Sequence, residues 1–222
     1  MPQVIVLHMR HHLMKNYNYL VVDPGSLQAV IVDPAWEMDK IDQALADTQA
    51  TLSGILVTHS HPDHIHLSKP VAEKYGCPIW MSNAEIAASG FSARQLIGID
   101  SIPWMVGQMQ IEPIITPGHT PGSTCYLIDG NLFTGDVLFA EGCGICPDTQ
   151  AAHAMFASLE HLKTRLEPHT RIFPGHSYGQ PPGRMMSQLR RENIYLQFSD
   201  KNSFAAFRLR PGQDKAKMFT FS

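Results

Sequence analysis

The sequence predicts an α/β domain in which two β-sheets are covered by helices. The chain has 222 residues, of which 44% are hydrophobic and 17% charged, and this length and composition suit one globular domain with a sizeable core. A first group of strand-like segments gives way to alternating helices and strands, then to a second group of strands, and finally to a helix, a strand and a helix. This mixed order favours two sheets over one parallel sheet.

Helices and strands alternate in the first half of the chain. Short apolar runs bounded by turn residues predict strands over residues 4–8, 19–23, 29–33, 54–58 and 78–81. The Asp-Pro-Gly sequence at 23–25 predicts the turn between the second and third of these strands. Apolar residues at helical spacing predict helices over 39–50 and 67–75, the second of which ends at Gly76.

The second half contains a run of strands followed by longer helices. Strands are predicted over residues 109–115, 124–128, 132–134 and 171–173. Residues 151–166 have a clear amphipathic pattern, because Met155, Leu159, Leu162 and Leu166 fall on one helical face. A last helix is predicted over 182–198.

Composition excludes several classes of protein. The net charge of −3 gives no indication of nucleic-acid binding. No apolar run approaches the roughly 18 residues of a membrane span, and the first residues lack the basic and apolar segments of a signal peptide. We therefore expect a cytoplasmic protein with no nucleic-acid or membrane partner.

Charge is unevenly distributed along the chain. Residues 184–222 contain eight basic and three acidic side chains, a net charge of +5, whereas the rest of the chain carries −8. We therefore predict a main domain over 1–183 and a basic C-terminal appendage over 184–222 that packs on the same domain.

Histidine is the unusual residue of this sequence, with 12 copies. Four potential metal ligands, His59, His61, Asp63 and His64, directly follow the buried strand predicted over 54–58. Residues two apart on an extended backbone point to the same side, and a following turn of helix can bring the next pair close to them. Imidazole and carboxylate groups together suit zinc, iron or manganese. This segment therefore predicts a metal site at a strand end.

Three later residues occupy similar positions. His119, Asp136 and His176 each follow a predicted strand, and each is preceded by a glycine that allows close backbone approach. Each alone is typical of a turn, but three such turns with a ligand residue in each strengthen the prediction of a metal site.

The complete pattern resembles the metallo-β-lactamase superfamily, and within it the glyoxalase II-like hydrolases, over about Tyr19 to Tyr178. The resemblance implies an αββα sandwich of a single domain with two zinc ions at one edge of the sheets, iron or manganese being alternatives. The first ion would be held by His59, His61 and His119. The second would be held by Asp63, His64 and His176, with Asp136 bridging the two. Asp33 matches a family aspartate that we expect to support the ligand loop.

Shorter segments narrow the resemblance. Residues 138–146 and 174–179 are similar to the zinc-dependent hydrolases that accompany trans-acyltransferase polyketide synthases. Ile145 stands where glyoxalase II carries a basic residue that holds glutathione, so the resemblance implies a retained metal site without that contact. Tyr178, Ile145 and Cys143 are the candidate substrate contacts. Cys143 and Cys146 form a lone pair, which we interpret as loop thiols near the site rather than as a metal or redox motif.

The expected reaction is hydrolysis of an acyl thioester in polyketide biosynthesis. Two ions would lower the pKa of a shared water, which Asp63, the candidate catalytic residue, can orient. A thiol leaves with little acid assistance because its pKa is about 8.5. The expected partner is an acidic acyl carrier protein, which the appendage could steer electrostatically through Arg184, Arg190 or Arg191.

Two other functions remain open from sequence. A mononuclear iron sulfur (persulfide) dioxygenase on the same fold would use His59, His119 and Asp136 as two histidines and one carboxylate. A hydroxyacylglutathione hydrolase would use the same two-metal site on a glutathione thioester. Metal analysis, oxygen consumption and hydrolysis of different acyl thioesters would separate these functions.

Overall fold

Two mixed six-stranded sheets form the centre of the molecule in the computed structural model, which describes residues 1–212. The first sheet contains, in spatial order, β1 (Gln3–His11), β2 (Met14–Val22), β3 (Gln28–Val32), β4 (Thr51–Leu56), β5 (Ile79–Ser82) and β6 (Leu96–Ile99). The second contains β7 (Trp104–Val106), β8 (Met109–Ile115), β9 (Thr124–Ile128), β10 (Asn131–Gly135), β11 (Arg171–Pro174) and β12 (Arg184–Met185). Strands β3 to β6 are parallel, as are β10 and β11.

Side chains alternate between the two faces of each sheet, so one face packs against the other sheet and the opposite face packs against helices. Tyr17, Tyr19 and Val21 of β2 belong to the core between the sheets, whereas Leu20 and Val22 of the same strand face the outer side of the first sheet. Successive side chains of a strand point to opposite faces, so each strand contributes to two cores at once. The domain is therefore an αββα sandwich, as predicted.

Helices cover both outer faces. The helices of the first half are α1 (Met38–Thr48), α2 (Pro62–Ile65), α3 (Ser68–Tyr75) and α4 (Asn83–Ser89). Those of the second half are α5 (Thr149–Arg165), α6 (Met186–Glu192) and α7 (Lys201–Arg208), with a 3-10 turn at Ile194–Leu196. Apolar side chains of α1 and α3 pack against the first sheet, and those of α5, α6 and α7 pack together against the second. None of the helices within residues 1–212 has both the length and the apolar character of a membrane span.

The predicted helix over 182–198 is wrong in extent. Residues 184–185 pair with β11, and the helix that follows ends at Glu192. Asn193 ends it because its amide donates hydrogen bonds to the carbonyls of Phe139 and Gly142, both at 3.0 Å, while its Oδ1 accepts from the amide of Tyr195 at 2.9 Å. Elements α4, β6, β7 and α7 were not predicted; α4, β6 and β7 are too short to give a clear periodic signal.

The first hairpin is longer than predicted, because β1 and β2 extend through a polar stretch of sequence. Two asparagines of β2 are buried there, and Asn18 accepts a hydrogen bond from the amide of Ala35 at 2.9 Å. Buried polar groups with such partners are tolerated in a strand.

The basic segment over 184–222 is described as far as residue 212, and residues 213–222 lie outside the described residues. Two of the arginines that we predicted to contact a carrier protein, Arg184 and Arg190, already form contacts within the chain. Arg184 forms an ion pair with Glu192 at 2.6 Å, and the Arg190 guanidinium donates to the carbonyls of Lys163 and Leu166, both at 2.6 Å, at the end of α5. Cations at a helix C-terminus satisfy its last carbonyl groups, so Arg190 stabilises α5.

Candidate metal centre

The seven predicted ligand residues converge at one edge of the sandwich. Each lies just beyond a strand: the segment after β4 carries four of them, and the loops after β8, β10 and β11 carry one each. The carboxyl ends of neighbouring parallel strands meet at the same sheet edge, which explains why residues more than 100 positions apart in sequence come together.

Close approach of these loops requires a glycine at 175. A β-carbon there would lie 2.5 Å from Cε1 of His64 and 2.9 Å from Oδ1 of Asp136. The glycine before His176 therefore allows the loop to approach the other ligands, as the sequence pattern predicted.

A first cluster consists of three imidazoles. Nδ1 of His61 lies 3.1 Å from Nε2 of His59 and 3.0 Å from Nε2 of His119. All three nitrogen atoms lie within 4.8 Å of one another, so one cation placed among them can be bound by all three.

A second cluster consists of Asp63, His64 and His176, with ligand atoms again within 4.8 Å of one another. Nε2 of His64 and Nε2 of His176 are 3.3 Å apart, and Oδ2 of Asp63 lies 3.3 Å from Nε2 of His176. His64 and His176 of this cluster are buried and Asp63 is half-buried, whereas His61 of the first cluster is exposed.

Asp136 lies between the two clusters. Its Oδ1 is 3.4 Å from Nε2 of His64 and 3.6 Å from Nε2 of His176, while its Oδ2 is 3.6 Å from Nε2 of His119. Oδ1 is buried and has no hydrogen-bond partner among the described residues. A buried carboxylate oxygen without a donor is costly, and a cation at this position would satisfy it.

Hydrogen bonds on the outer side of the rings determine which ring nitrogen faces inward. Nδ1 of His119 lies 2.8 Å from the Ile145 carbonyl, and Nδ1 of His176 lies 2.8 Å from the Lys15 carbonyl. A carbonyl can only accept, so both Nδ1 atoms carry the proton, and each Nε2 presents its lone pair to the site. Lone pairs about 3 Å apart repel unless a cation lies between them. The donor set therefore fits a metal centre.

Asp33 fixes the rings of His59 and His64. Its Oδ2 accepts from Nδ1 of His64 at 2.8 Å and from the Thr58 hydroxyl at 2.6 Å, while its Oδ1 accepts from the Thr58 amide at 2.8 Å. The Thr58 hydroxyl proton is thereby used, so its oxygen accepts from Nδ1 of His59 at 3.0 Å. Asp33 is 2% exposed and already has three donors, which gives it a supporting position rather than a ligand position.

The electrostatics of the site also favour bound positive charge. Burial, followed by the charges of neighbouring histidines, holds the pKa of His59 well below its usual value, which keeps this ring neutral and able to bind a cation. Burial alone would raise the pKa of Asp136, but the imidazoles of His176, His64 and His119 outweigh it and lower that pKa. Burial likewise lowers the pKa of His64, but Asp136 and Asp33 outweigh it and raise the value to about 10.

The candidate substrate contacts differ in accessibility. Tyr178 is half-buried, with its ring 5.2 Å from that of Phe139, and Ile145 is half-buried next to His119. Cys143 is 3% exposed and packs in the core between the second sheet and its helices. Cys143 and Cys146 are both free and buried, so neither thiol lies open to solvent beside the site.

A groove of about 350 Å³ adjoins the first cluster. It lies between the loop after β8 and the start of α5 and is lined by Pro117, Gly118, His119, Thr120, Pro121, Pro147, Asp148, Gln150, Ala151 and Ala154. Within this described lining, no lysine or arginine is present and the single carboxylate is Asp148. The groove therefore suits a slender, uncharged group.

Sequence reasoning missed a polar residue that contacts the second cluster. The Asn16 amide donates to the carbonyl oxygen of Asp63 at 2.9 Å and to its Oδ2 at 3.2 Å, and Oδ1 of Asn16 accepts from the Trp36 indole at 3.0 Å. Asn16 lies on a strand that the sequence did not predict to reach this position, so only the hairpin register could have indicated it.

Several known proteins are similar to this chain in sequence. The probable polyketide biosynthesis zinc-dependent hydrolase BaeB of Bacillus velezensis is 44% identical over 205 residues, 91% of this chain and 91% of that protein. The corresponding PksB of Bacillus subtilis is 40% identical over 206 residues, 92% of each chain. A hydroxyacylglutathione hydrolase of Brucella ovis is 37% identical over 183 residues, 82% of this chain and 69% of that protein.

Solved structures share the fold. A metallo-beta-lactamase from Staphylococcus aureus superposes with a TM-score of 0.86 at 22% identity, covering 99% of this chain and 69% of that one. ETHE1 from Myxococcus xanthus superposes with a TM-score of 0.83 at 27% identity, covering 97% and 94%. The sequence profile of the metallo-beta-lactamase superfamily matches residues 15–176, a span that includes all seven predicted ligand residues. The chain therefore belongs to the metallo-beta-lactamase superfamily.

Proposed function

We propose that this protein is a zinc-dependent hydrolase that binds two ions and cleaves acyl thioesters. The observation that carries the proposal is the pair of ligand clusters that share Asp136. His59, His61 and His119 would hold one ion, and Asp63, His64 and His176 the other. The names of the BaeB and PksB relatives, which both include zinc-dependent hydrolase, support this choice of metal and reaction class.

When bound, two zinc ions would supply an activated water and polarise the substrate carbonyl. The chain contributes the orientation of the reacting groups. Burial would raise the pKa of Asp63, but the neighbouring imidazoles of His176 and His64 outweigh it and lower that pKa, so Asp63 stays ionised and can accept a hydrogen bond that orients the attacking water. The Asn16 amide fixes the orientation of this carboxylate through Oδ2.

A thioester needs less proton transfer from these residues than an amide does. A thiol has an ordinary pKa of about 8.5 and leaves as the thiolate, whereas an amine leaving group would need a proton from a general acid. The predicted ligand set contains no such acid, because imidazoles that hold a metal ion would present lone pairs rather than protons to the site.

The groove beside His119 supports a carrier-bound thioester over a glutathione thioester. Glutathione carries two carboxylates, and the groove offers them Asp148 and no lysine or arginine among its described residues. Ile145 also gives no positive charge where glyoxalase II-like enzymes hold glutathione. The part of a carrier protein's arm next to the thiol contains amides and no charge, so it does not need a basic residue in this groove. The polyketide biosynthesis named for BaeB and PksB supports the same substrate class.

The proposal is tested by measuring metal content together with hydrolysis of one acyl group on three thiols. We expect about two zinc ions per chain and faster turnover of acyl-carrier protein and acyl-N-acetylcysteamine than of acyl-glutathione. Preference for acyl-glutathione would instead favour the activity named for the Brucella ovis relative. One iron per chain with oxygen consumption on a persulfide substrate would overturn the hydrolase proposal in favour of the dioxygenase alternative.

A further inference from the structure

Glu85 is a buried carboxylate that connects two of the ligand loops without belonging to either. It lies in the first turn of α4, is 1% exposed, and has no place in the predicted ligand set. Its Oε1 accepts from the amide of Ser60 at 2.8 Å and from the Ser60 hydroxyl at 2.5 Å. Its Oε2 accepts from the Thr120 hydroxyl at 2.7 Å and from the Gly122 amide at 3.0 Å.

The positions of these partners connect Glu85 to the first cluster. Ser60 lies between His59 and His61, and Thr120 directly follows His119. One oxygen of Glu85 therefore holds the loop that carries two members of the first cluster, His59 and His61. The other oxygen holds the loop that carries its third member, His119. Glu85 makes none of the hydrogen bonds described for the second cluster, in which Asp33 holds His64 and Asn16 holds Asp63.

All four partners of Glu85 are donors, so an ionised carboxylate satisfies them without a proton. Two of the donors are backbone N–H groups, which cannot reverse their role. Hydrogen bonds to a charged group are stronger than hydrogen bonds between neutral groups. A neutral amide at this position would leave at least one of the two loops with a backbone donor facing another donor.

The start of α4 is itself fixed against the His119 loop. The Ser82 hydroxyl donates to the Gly122 carbonyl at 2.6 Å and accepts from the Glu85 amide at 3.1 Å. A β-carbon at Gly122 would lie 2.1 Å from the Glu85 nitrogen, so only glycine permits this approach. The backbone of Glu85 is thus fixed against the His119 loop, and this limits the positions that its carboxylate can take.

We propose that Glu85 is a positioning residue that sets the separation of the two loops and thereby the zinc affinity of the first site. This inference rests on the proposed function for the presence of a zinc ion at His59, His61 and His119. Outer partners that orient metal ligands typically change metal affinity roughly 10–100-fold when they are removed. The effect of Glu85 should fall on the first site and spare the second.

The test compares three variants with the wild type after removal of bound metal. Zinc is titrated back in competition with a chromophoric chelator, and thermal unfolding of the metal-free protein is followed by circular dichroism. Glu85→Gln replaces one acceptor oxygen with an amide NH₂ group, which can only donate. Glu73→Gln, on the exposed face of α3, removes the same charge without touching either loop and is the matched control. His119→Ala identifies which binding step belongs to the first site.

We expect Glu85→Gln to weaken the first site by roughly 10–100-fold, to leave the second site within about twofold, and to regain activity when free zinc is raised. Glu73→Gln should match the wild type. Superimposable titrations of Glu85→Gln and wild type would overturn the inference. So would an equal loss at both sites that parallels the fall in melting temperature, since that result indicates a purely structural role.

If Glu85→Gln does not fold, Thr120→Val tests the same inference. This variant deletes one hydrogen-bond donor to Oε2 of Glu85, and valine has nearly the same shape as threonine. A several-fold loss of affinity at the first site supports the inference, and an unchanged first site overturns it. The outcome is separable from the proposed function. A wild type with a single zinc, lost in His119→Ala and weakened in Glu85→Gln, would refute the two-ion proposal and retain the role of Glu85.

Discussion

Replacing Asp33 with asparagine should weaken the second metal site through the orientation of one imidazole. Asp33 receives three donors: the Thr58 amide, the Thr58 hydroxyl and Nδ1 of His64. An asparagine can place its oxygen at only one of the two carboxylate positions. If the asparagine oxygen replaces Oδ2, its amide NH₂ group faces the Thr58 N–H. If the oxygen replaces Oδ1, the NH₂ group donates toward Nδ1 of His64 and shifts the ring proton to Nε2, the atom that faces the metal site.

Two independent estimates of the magnitude agree. The loss of one hydrogen bond to a charged group costs about 1.5–3 kcal/mol. Removing an outer partner of a metal ligand lowers metal affinity roughly 10–100-fold, which is about 1.4–2.8 kcal/mol because each factor of ten is about 1.4 kcal/mol. If the same bond is lost in the metal-free protein, its melting temperature should fall by about 3–12 °C, since 1 kcal/mol corresponds to about 2–4 °C at this chain length.

The assay is zinc titration of Asp33→Asn against a competing chelator, with Asp47→Asn as the matched control. Asp47 is exposed on α1 and accepts a hydrogen bond from Gln43, which an asparagine oxygen can still accept. We expect a roughly 10–100-fold weaker second site for Asp33→Asn and none of this loss for the control. A second site of wild-type affinity in a folded Asp33→Asn protein would refute the argument that this carboxylate determines the His64 tautomer.

Further outcomes follow from the same geometry. Asp136→Ala should lose both ions, because each carboxylate oxygen faces one cluster; elemental analysis that finds one retained ion would contradict this. His119→Ala should abolish thioester hydrolysis while circular dichroism shows a folded protein, and near wild-type turnover would remove His119 from the ligand set. Burial raises the pKa of Cys125 to about 12 and of Cys146 to about 11, so an aromatic disulfide reagent at pH 8 should detect no rapidly reacting thiol before unfolding and four thiols after it. Replacing Arg191 and Lys201, two exposed cations of the appendage, with serine should raise KM for acyl-carrier protein and spare small thioesters; equal changes on both would exclude docking through these residues.

The convergence of the candidate ligand residues could be predicted because their signal is local. His59, His61, Asp63 and His64 are adjacent in sequence, and the strand before them is an unbroken apolar run. His119, Asp136 and His176 each combine a strand end with a preceding glycine. Since the topology brings strand ends to one edge, identifying the strand ends was sufficient to place these side chains together.

Asp33 was expected to support the ligand loop, but Glu85 and Asn16 could not be predicted, because their signal depends on the complete fold. Glu85 is 25 positions from Ser60 and 35 from Thr120, on a short helix with no clear periodicity. Asn16 lies in a polar stretch that resembles a loop and becomes a strand only through pairing with Met9 on β1. Such contacts are set by sheet register rather than by residue type.

The chain itself holds each ligand loop in position. His119 and His176 donate to backbone carbonyls, Asp33 orients His59 and His64, and none of these bonds uses the atoms that would contact a metal. The geometry of the two clusters is therefore paid for by folding rather than by metal binding, and preorganised ligands bind more tightly because little ordering is left to do. This arrangement also explains why the sandwich must bury polar residues such as Asp33 and Glu85 at one edge. Their hydrogen bonds to the loops offset the cost of burial, and neither residue could be exchanged for an apolar one without releasing a ligand loop.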